Sequence, residues 1–302
     1  MTTFLDLRAI PTGGFVAHEV RIVDEHNKTI ALAEFLKRVA GKNIVLVTHG
    51  FNVDMVDGEK SIAKWDALAG LTGANVFIGV LWPGDSRFIP VIDYPMEGSV
   101  ANHSGQLLAR FLARNATGAA TLSFVSHSLG ARTVLETIKR LDRHVSVLVL
   151  MAGAIENDCL THEYASVPPK VDRIRVIASE RDFVLEFAFP IGNPVGEIIM
   201  RGHPYFKAAL GRDGPYPMDA LENKCQVWQA PAGWDYGHGD YMPGRDVDLP
   251  FAPALSPPGS TMSPPRTTAG WKSSWSAGII ATQFFEPGLS SPPHSPSTTA
   301  RP

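Results

Sequence analysis

The chain lacks most of what would tie it to a membrane, a metal or a charged polymer. Of 302 residues only Cys159 and Cys225 are cysteine. Two thiols in no metal-like spacing exclude a cysteine-rich metal cage and a disulfide-stapled secreted scaffold, and both read as free. No apolar stretch reaches the roughly 20 residues of a membrane span. Asp6 and Arg8 sit where a signal peptide needs an unbroken apolar core, so the expected location is cytoplasmic, with no integral membrane segment. There are 27 Lys+Arg against 30 Asp+Glu, a formal net charge of -3, and that balance leaves no basic field to gather nucleic acid. There is no P-loop, and no glycine-rich dinucleotide fingerprint follows the first strand pattern. What the chain does have is 44% hydrophobic and 19% charged residues, a composition able to bury the core of one large domain or two small ones.

Periodicity organises that material. Pro11, Gly13 and Gly14 make the start of the chain read as loop, followed by a β-branched strand over 16–23. Leu32, Phe35, Leu36 and Val39 form one helical face over 29–40. The run 43–48, NIVLVT, is apolar on both faces, as expected of a strand in the middle of a parallel sheet covered by helices. Helix patterns over 58–71 and 100–112 alternate with strand patterns over 75–82, 144–150, 173–179 and 225–229. This alternation predicts a doubly wound, mostly parallel α/β sheet, with a Pro/Gly-broken apolar insertion over 183–218, before the last strand, that forms a pocket wall or small lid. The expected domain is 1–242. From 243 to 302 Pro, Ser and Thr dominate, and the expectation there is a tail without a packed core, within which the short island 278–285 is the one segment that could dock as a strand or helix.

The sharpest local signal is Ser126-His127-Ser128-Leu129-Gly130. An apolar strand run precedes it, and Val134, Ile138 and Leu141 follow at helical spacing. Strand, tight turn and helix in that order lift the hydroxyl of Ser128 clear of the sheet. Ser126 stands where the G-x-S-x-G pattern has its first glycine. A serine hydroxyl needs a base to take its proton and an acid to orient that base, and on such a sheet both belong in loops at the carboxyl ends of later strands. Asp182 follows the strand at 173–179, and His238 follows the strand at 225–229 between two glycines. Asp158, with Glu156 behind it, is the rival acid; His203 in the insertion and His294 in the tail are the weaker choices for the base. Oxyanion donors are expected at the backbone N–H of Leu129, which opens the elbow helix, and of Phe51, in the loop after 43–48. His49 in that loop reads as a support for its turn. His127, Trp82, Phe187 and Phe189 are candidates for the substrate pocket, although a Trp that ends a strand also reads as core. Asp235, His238 and Asp240 fall in one loop, but that pattern is too unspecific to assign a metal, and no cofactor is required.

Taken in order, THGFN after a buried strand, LWPGDS, the SHSLGAR elbow, ASERD and GHGDY resemble the α/β-hydrolase fold. More narrowly, they are similar to bacterial α/β hydrolases of unknown function with HGF, W-P and H-S-M/L-G motifs. The resemblance spans 43–241. It implies Ser128 as nucleophile, Asp182 as acid, His238 as base, and Phe51 with Leu129 as oxyanion donors. The function expected is a serine esterase acting on a small-molecule ester of short to medium acyl or aryl type. The alternatives are a thioesterase, lipase or amidase on the same three residues, or a silent scaffold that binds a ligand or partner.

Overall fold

Apolar runs bounded by glycine and turn residues become eight strands: β1 (Thr3–Arg8), β2 (Val16–Asp24), β3 (Asn43–Thr48), β4 (Asn75–Leu81), β5 (Thr121–His127), β6 (Val145–Met151), β7 (Val171–Ala178) and β8 (Cys225–Gln229). The helices are α1 (Leu32–Val39), α2 (Met55–Ala69), α3 (Tyr94–Asn115), α4 (Gly130–Arg140), the single turn α5 (Leu210–Asp213) and α6 (Trp271–Phe285). These come from a computed structural model that describes residues 1–9, 15–51, 53, 55–71, 73–84, 94–188, 208–243 and 271–285. The strands form one sheet in the order β2-β1-β4-β3-β5-β6-β7-β8. Every neighbouring pair is parallel except β1 with β2.

The parallel register puts the carboxyl ends of β3, β5, β7 and β8 along one edge. Thr48 pairs with Ser126 across β3 and β5, and Ala178 pairs with Gln229 across β7 and β8. The loops that carry His49, Ser128, Asp182 and His238 therefore leave the sheet on the same side, as a doubly wound sheet requires. Helix α4, which follows Ser128, buries Ala131, Val134, Leu135 and Ile138. It begins at Gly130, where an added Cβ would lie 2.4 Å from the His49 carbonyl oxygen, so only glycine lets the helix come this close to the β3 loop. At its other end Lys170 Nζ donates to the carbonyls of Lys139 at 2.8 Å and Leu141 at 2.7 Å, satisfying acceptors that a helix leaves open.

Three features depart from the periodicity reading. The first is β1, a buried strand in a stretch expected to be loop. Its charges obscured it: Asp6 is buried against Arg21 of β2, and Arg8 is drawn beneath the β3 loop. The second concerns α1, where Phe35 and Val39 are buried while Leu32 and Leu36 are exposed, so the apolar face is narrower than its leucines suggest. The third is α6, which lies inside the stretch expected to have no packed core. It packs against α2 and the turn at 238–241, burying Trp275, Ala277, Ile279 and Ile280. A short apolar helix within a Pro/Ser/Thr-rich background has no amphipathic partner visible in its own sequence; its partners are aromatic residues of the β8 loop. Cys159 and Cys225 are free and buried, and burial pushes the Cys225 thiol up to about 12, which makes it a poor nucleophile. Among the described residues no helix is long and apolar enough to cross a membrane.

Truncating a buried Trp removes both its transfer energy and its packing. We expect Trp275→Ala to cost about 3–5 kcal/mol in urea unfolding. A loss under about 1 kcal/mol would mean that α6 does not pack in solution.

Candidate active site

Ser128 sits at the turn between β5 and α4 with φ 53°. That left-handed conformation costs an L-residue about 1–2 kcal/mol. It is held by backbone hydrogen bonds: Ser128 N–H donates to the Met151 carbonyl at 3.0 Å, and the Ser128 carbonyl accepts Ala131 N–H at 3.1 Å and Ala154 N–H at 3.2 Å. The serine is only 4% exposed, yet its hydroxyl lies 2.8 Å from Nε2 of His238. On the other side of the ring Nδ1 lies 2.8 Å from Oδ2 of Asp182. Asp182 is fully buried, and its Oδ1 accepts the Leu185 N–H at 3.0 Å, so both carboxylate oxygens are engaged. With the carboxylate as acceptor at Nδ1, that nitrogen carries the proton and Nε2 presents its lone pair to the serine hydroxyl.

The two rivals for the acid lie elsewhere. Asp158 pairs with His162 at 3.3 Å, and Glu156 pairs with Arg132 at 3.7 Å. The other residues expected at the site divide. His127 is close to His238, with ring centroids 5.0 Å apart, and its Nε2–H donates to the His238 carbonyl at 2.7 Å. It holds the loop that carries His238. Trp82, a candidate for the pocket wall, is fully buried; its indole N–H donates to the His49 carbonyl at 2.9 Å, so it packs behind the β3 loop. The side chains of Phe187 and Phe189 lie outside the described residues, as do His203 and His294. Asp240, part of the unspecific metal pattern, accepts the Gly237 N–H at 2.7 Å and closes its own turn. Among the described residues no group of three or more His, Cys, Asp or Glu could hold a metal ion.

Gly50 brings the β3 loop against the serine. A Cβ there would lie 2.8 Å from Ser128 Cβ and 2.8 Å from His127 Nδ1. The backbone at Gly50 is therefore packed against Ser128, and Leu129, the next residue after Ser128, is the N-cap of α4.

Sequence reasoning did not identify what fastens His238. Its loop leaves β8 through two short 3-10 turns, Ala232–Trp234 and His238–Tyr241, and is tied down by side chains from distant elements. Ser179 Oγ donates to the Tyr236 carbonyl at 2.6 Å, Ser61 Oγ to the Pro243 carbonyl at 2.7 Å, and Ser276 Oγ of α6 to the Tyr241 carbonyl at 2.7 Å. The Trp275 ring meets Trp234 and Tyr236 edge-on, each at 5.2 Å, an arrangement that favours aromatic pairs. The only trace in the sequence was aromatic enrichment on both sides, WDYGHGDY and WKSSW.

Burial sets the charge state beside the site. Burial first, then the neighbouring His238, lowers His127 to about 3; burial first, then Arg8, lowers His49 to about 3. The folded chain keeps both rings neutral, while the unfolded chain protonates them near the ordinary value of 6.5. Their contribution to stability is thus complete above pH 6.5 and is lost as pH falls towards 3. Each ring should add about 1.4 kcal/mol per pH unit to the slope of unfolding free energy in that window. Urea titrations from pH 6.5 to 4.5 should show His127→Gln with a slope shallower than wild type by about one proton, and equal slopes would mean that the ring titrates in the fold.

No curated protein matches the chain in sequence. Among solved structures, esterase PE8 is similar at 16% identity, covering 67% of this chain and 86% of that one with a TM-score of 0.36. Esterase B from Lactobacillus rhamnosis is 12% identical, with 67% and 69% covered and a TM-score of 0.36. A predicted CIB-like hydrolase from Thermoplasma acidophilum is 14% identical, with 74% and 83% covered and a TM-score of 0.37. Over residues 24–214, from the last residue of β2 to just past α5, the chain matches the family described as alpha/beta hydrolase of unknown function (DUF900), and it belongs to that family.

Proposed function

We propose that this hydrolase cleaves carboxylic esters through an acyl-enzyme on Ser128. The observation that carries the reading is the His238 imidazole bridging the Ser128 hydroxyl and the buried Asp182 carboxylate, 2.8 Å from each. Hydroxyl, imidazole and carboxylate in that series make a serine nucleophilic at neutral pH.

In this reading Ser128 Oγ attacks the ester carbonyl carbon while its proton passes to His238 Nε2. Asp182 holds the ring in the required tautomer and stabilises the imidazolium that forms. The carbonyl oxygen becomes an oxyanion that receives the N–H of Leu129 and of Phe51. The Leu129 donor has physical support, because the first N–H groups of a helix have no partner within it and lie at the positive end of its dipole. The imidazolium then returns its proton to the departing alkoxide, which leaves as the alcohol. Water attacks the acyl-enzyme by the same steps and releases the acid. His127, bonded to the His238 carbonyl, keeps the base in place. We further propose that the insertion 183–218, with Phe187 and Phe189, walls the acyl site and favours short to medium acyl or aryl esters.

On a panel of aryl esters graded by acyl length, wild type should show turnover and covalent labelling by a fluorophosphonate. Ser128→Ala should lose both, with turnover down by about 10⁴-fold or more. Activity surviving in Ser128→Ala would sink the reading. Gly50→Ala offers a second, steric check. The added methyl must displace Ser128 or His127, so kcat/KM should drop about 100-fold while the thermal transition stays cooperative; an unchanged kcat/KM would place the β3 loop away from the reaction.

A further inference from the structure

The reaction as proposed gives no role to a cation buried below it. Arg8, on β1, is 2% exposed. Its Nε–H donates to the Trp82 carbonyl at 3.1 Å, and Nη2 donates to the Val53 carbonyl at 3.1 Å and to His49 Nε2 at 3.2 Å. Taking a guanidinium out of water costs several kcal/mol, and a fold that needed only to fill this space would do better with an apolar side chain.

The hydrogen bonds around His49 specify its tautomer. Nε2 faces both the Arg8 guanidinium and the Trp82 backbone N–H, the latter at 3.3 Å. A ring nitrogen approached by two donors presents its lone pair, so the proton is on Nδ1, and Nδ1–H donates to the Gly50 carbonyl at 2.8 Å. The ring cannot turn away, because Trp82 stacks on it at 5.9 Å with planes 16° apart and bonds its carbonyl. Burial and the adjacent Arg8 charge keep it neutral, down to about 3, so the lone pair persists at any pH where the fold does.

The Gly50 carbonyl belongs to the peptide unit whose other end is the Phe51 N–H. A peptide is planar, and in the trans form its N–H points opposite its C=O. Fixing the carbonyl therefore fixes the direction of the N–H. Polarisation acts in the same direction: a cation donating to Nε2 strengthens the Nδ1–H donor, and a carbonyl that accepts a strong bond makes its own N–H a better donor. We propose that Arg8 and His49 are positioning residues for the oxyanion, a relay from guanidinium through imidazole to the Gly50–Phe51 peptide that orients and strengthens the Phe51 N–H. This rests on the reading of Ser128 as the nucleophile. The relay runs from β1 across β4 to the end of β3, three strands adjacent in the sheet, and touches no substrate.

The test uses the full chain with Arg8→Met, Arg8→Lys and His49→Asn, assayed on an aryl ester. Removing one oxyanion donor outright costs about 10²–10³ in kcat. Misaiming one should cost less, so Arg8→Met should lower kcat about 10- to 100-fold with KM nearly unchanged. A trifluoromethyl ketone, which forms a tetrahedral adduct, should bind more weakly by the same factor. Arg8→Lys, which keeps a donor and the charge, should recover part of the loss. Should Arg8→Met fail to fold, His49→Asn substitutes for it: it keeps a donor towards the Gly50 carbonyl but drops the link to Arg8, and kcat should still fall. NMR reads the relay without turnover. With carbonyl-13C glycine and 15N phenylalanine, only the peptides Gly14–Phe15 and Gly50–Phe51 give a correlation, and the one absent from Phe51→Leu is the second. Its amide proton should move upfield in Arg8→Met. If wild type turns over and Arg8→Met keeps its kcat and this resonance, the relay is wrong. If wild type neither turns over nor labels at Ser128, the reading of Ser128 fails first, and the amide shift then tells whether the relay exists apart from it.

Discussion

The site depends on one strained residue. Ser128 holds φ 53° because its N–H is bonded to the last residue of β6 and its carbonyl to the segment just after that strand, and because α4 starts on a glycine pressed against the His49 carbonyl. Release that strain and the hydroxyl turns back towards the sheet. Keep it, and the hydroxyl stands at the shared edge where the loops of β3, β7 and β8 also end. Backbone strain of this kind survives where the surroundings over-determine it, and here the surroundings are a parallel sheet whose register aligns the strand ends.

Two neutral histidines are the next layer. His127 gives its N–H to the carbonyl of His238, and His49 gives its N–H to the carbonyl of Gly50. Each stiffens a loop by bonding its backbone, and burial keeps each from taking a second proton. A charged imidazole at either place would lose its lone pair, and at His49 that lone pair is what faces the Arg8 guanidinium. The same low-dielectric interior that makes an unpaired polar group costly makes these satisfied networks rigid. The loop of His238 is also tied by Ser179, Ser61 and Ser276 of α6, so a helix far along the chain from Ser128 helps to seat His238.

Much of this was legible in the sequence. NIVLVT, the strand before Ser128 and CQVWQ declare themselves because their apolar runs suit a sheet covered on both faces, and the element order then restricts where an acid and a base can lie. That order was enough to prefer Asp182 and His238. It left Asp158 open as the rival acid, because both aspartates follow strands on the same edge and only distance distinguishes them. β1 was missed because Asp6 and Arg8 break its apolar pattern, and a charge that finds its partner across the sheet looks, in sequence, like a charge facing water. Arg8 went unnoticed as a possible functional residue for the same reason. Of α6 only the island 278–285 stood out as able to dock; Trp275 and its turn did not, because they match aromatic residues about forty positions earlier, and composition averages over such a match. The family match, ending at 214, reaches neither His238 nor α6.

The sequence by itself determined the alternation of strand and helix, the turn that carries Ser128, and the chain order of Ser128, Asp182 and His238. These are local properties: periodicity, glycine placement and the steric demands of a tight turn act over a few residues. Only the tertiary structure decided which carboxylate meets His238, that Trp82 supports the β3 loop through the His49 carbonyl, and that Arg8 lies beneath His49. Each of those depends on contacts between residues far apart in the chain, and a buried polar group is defined by the partner it reaches, which no local pattern records.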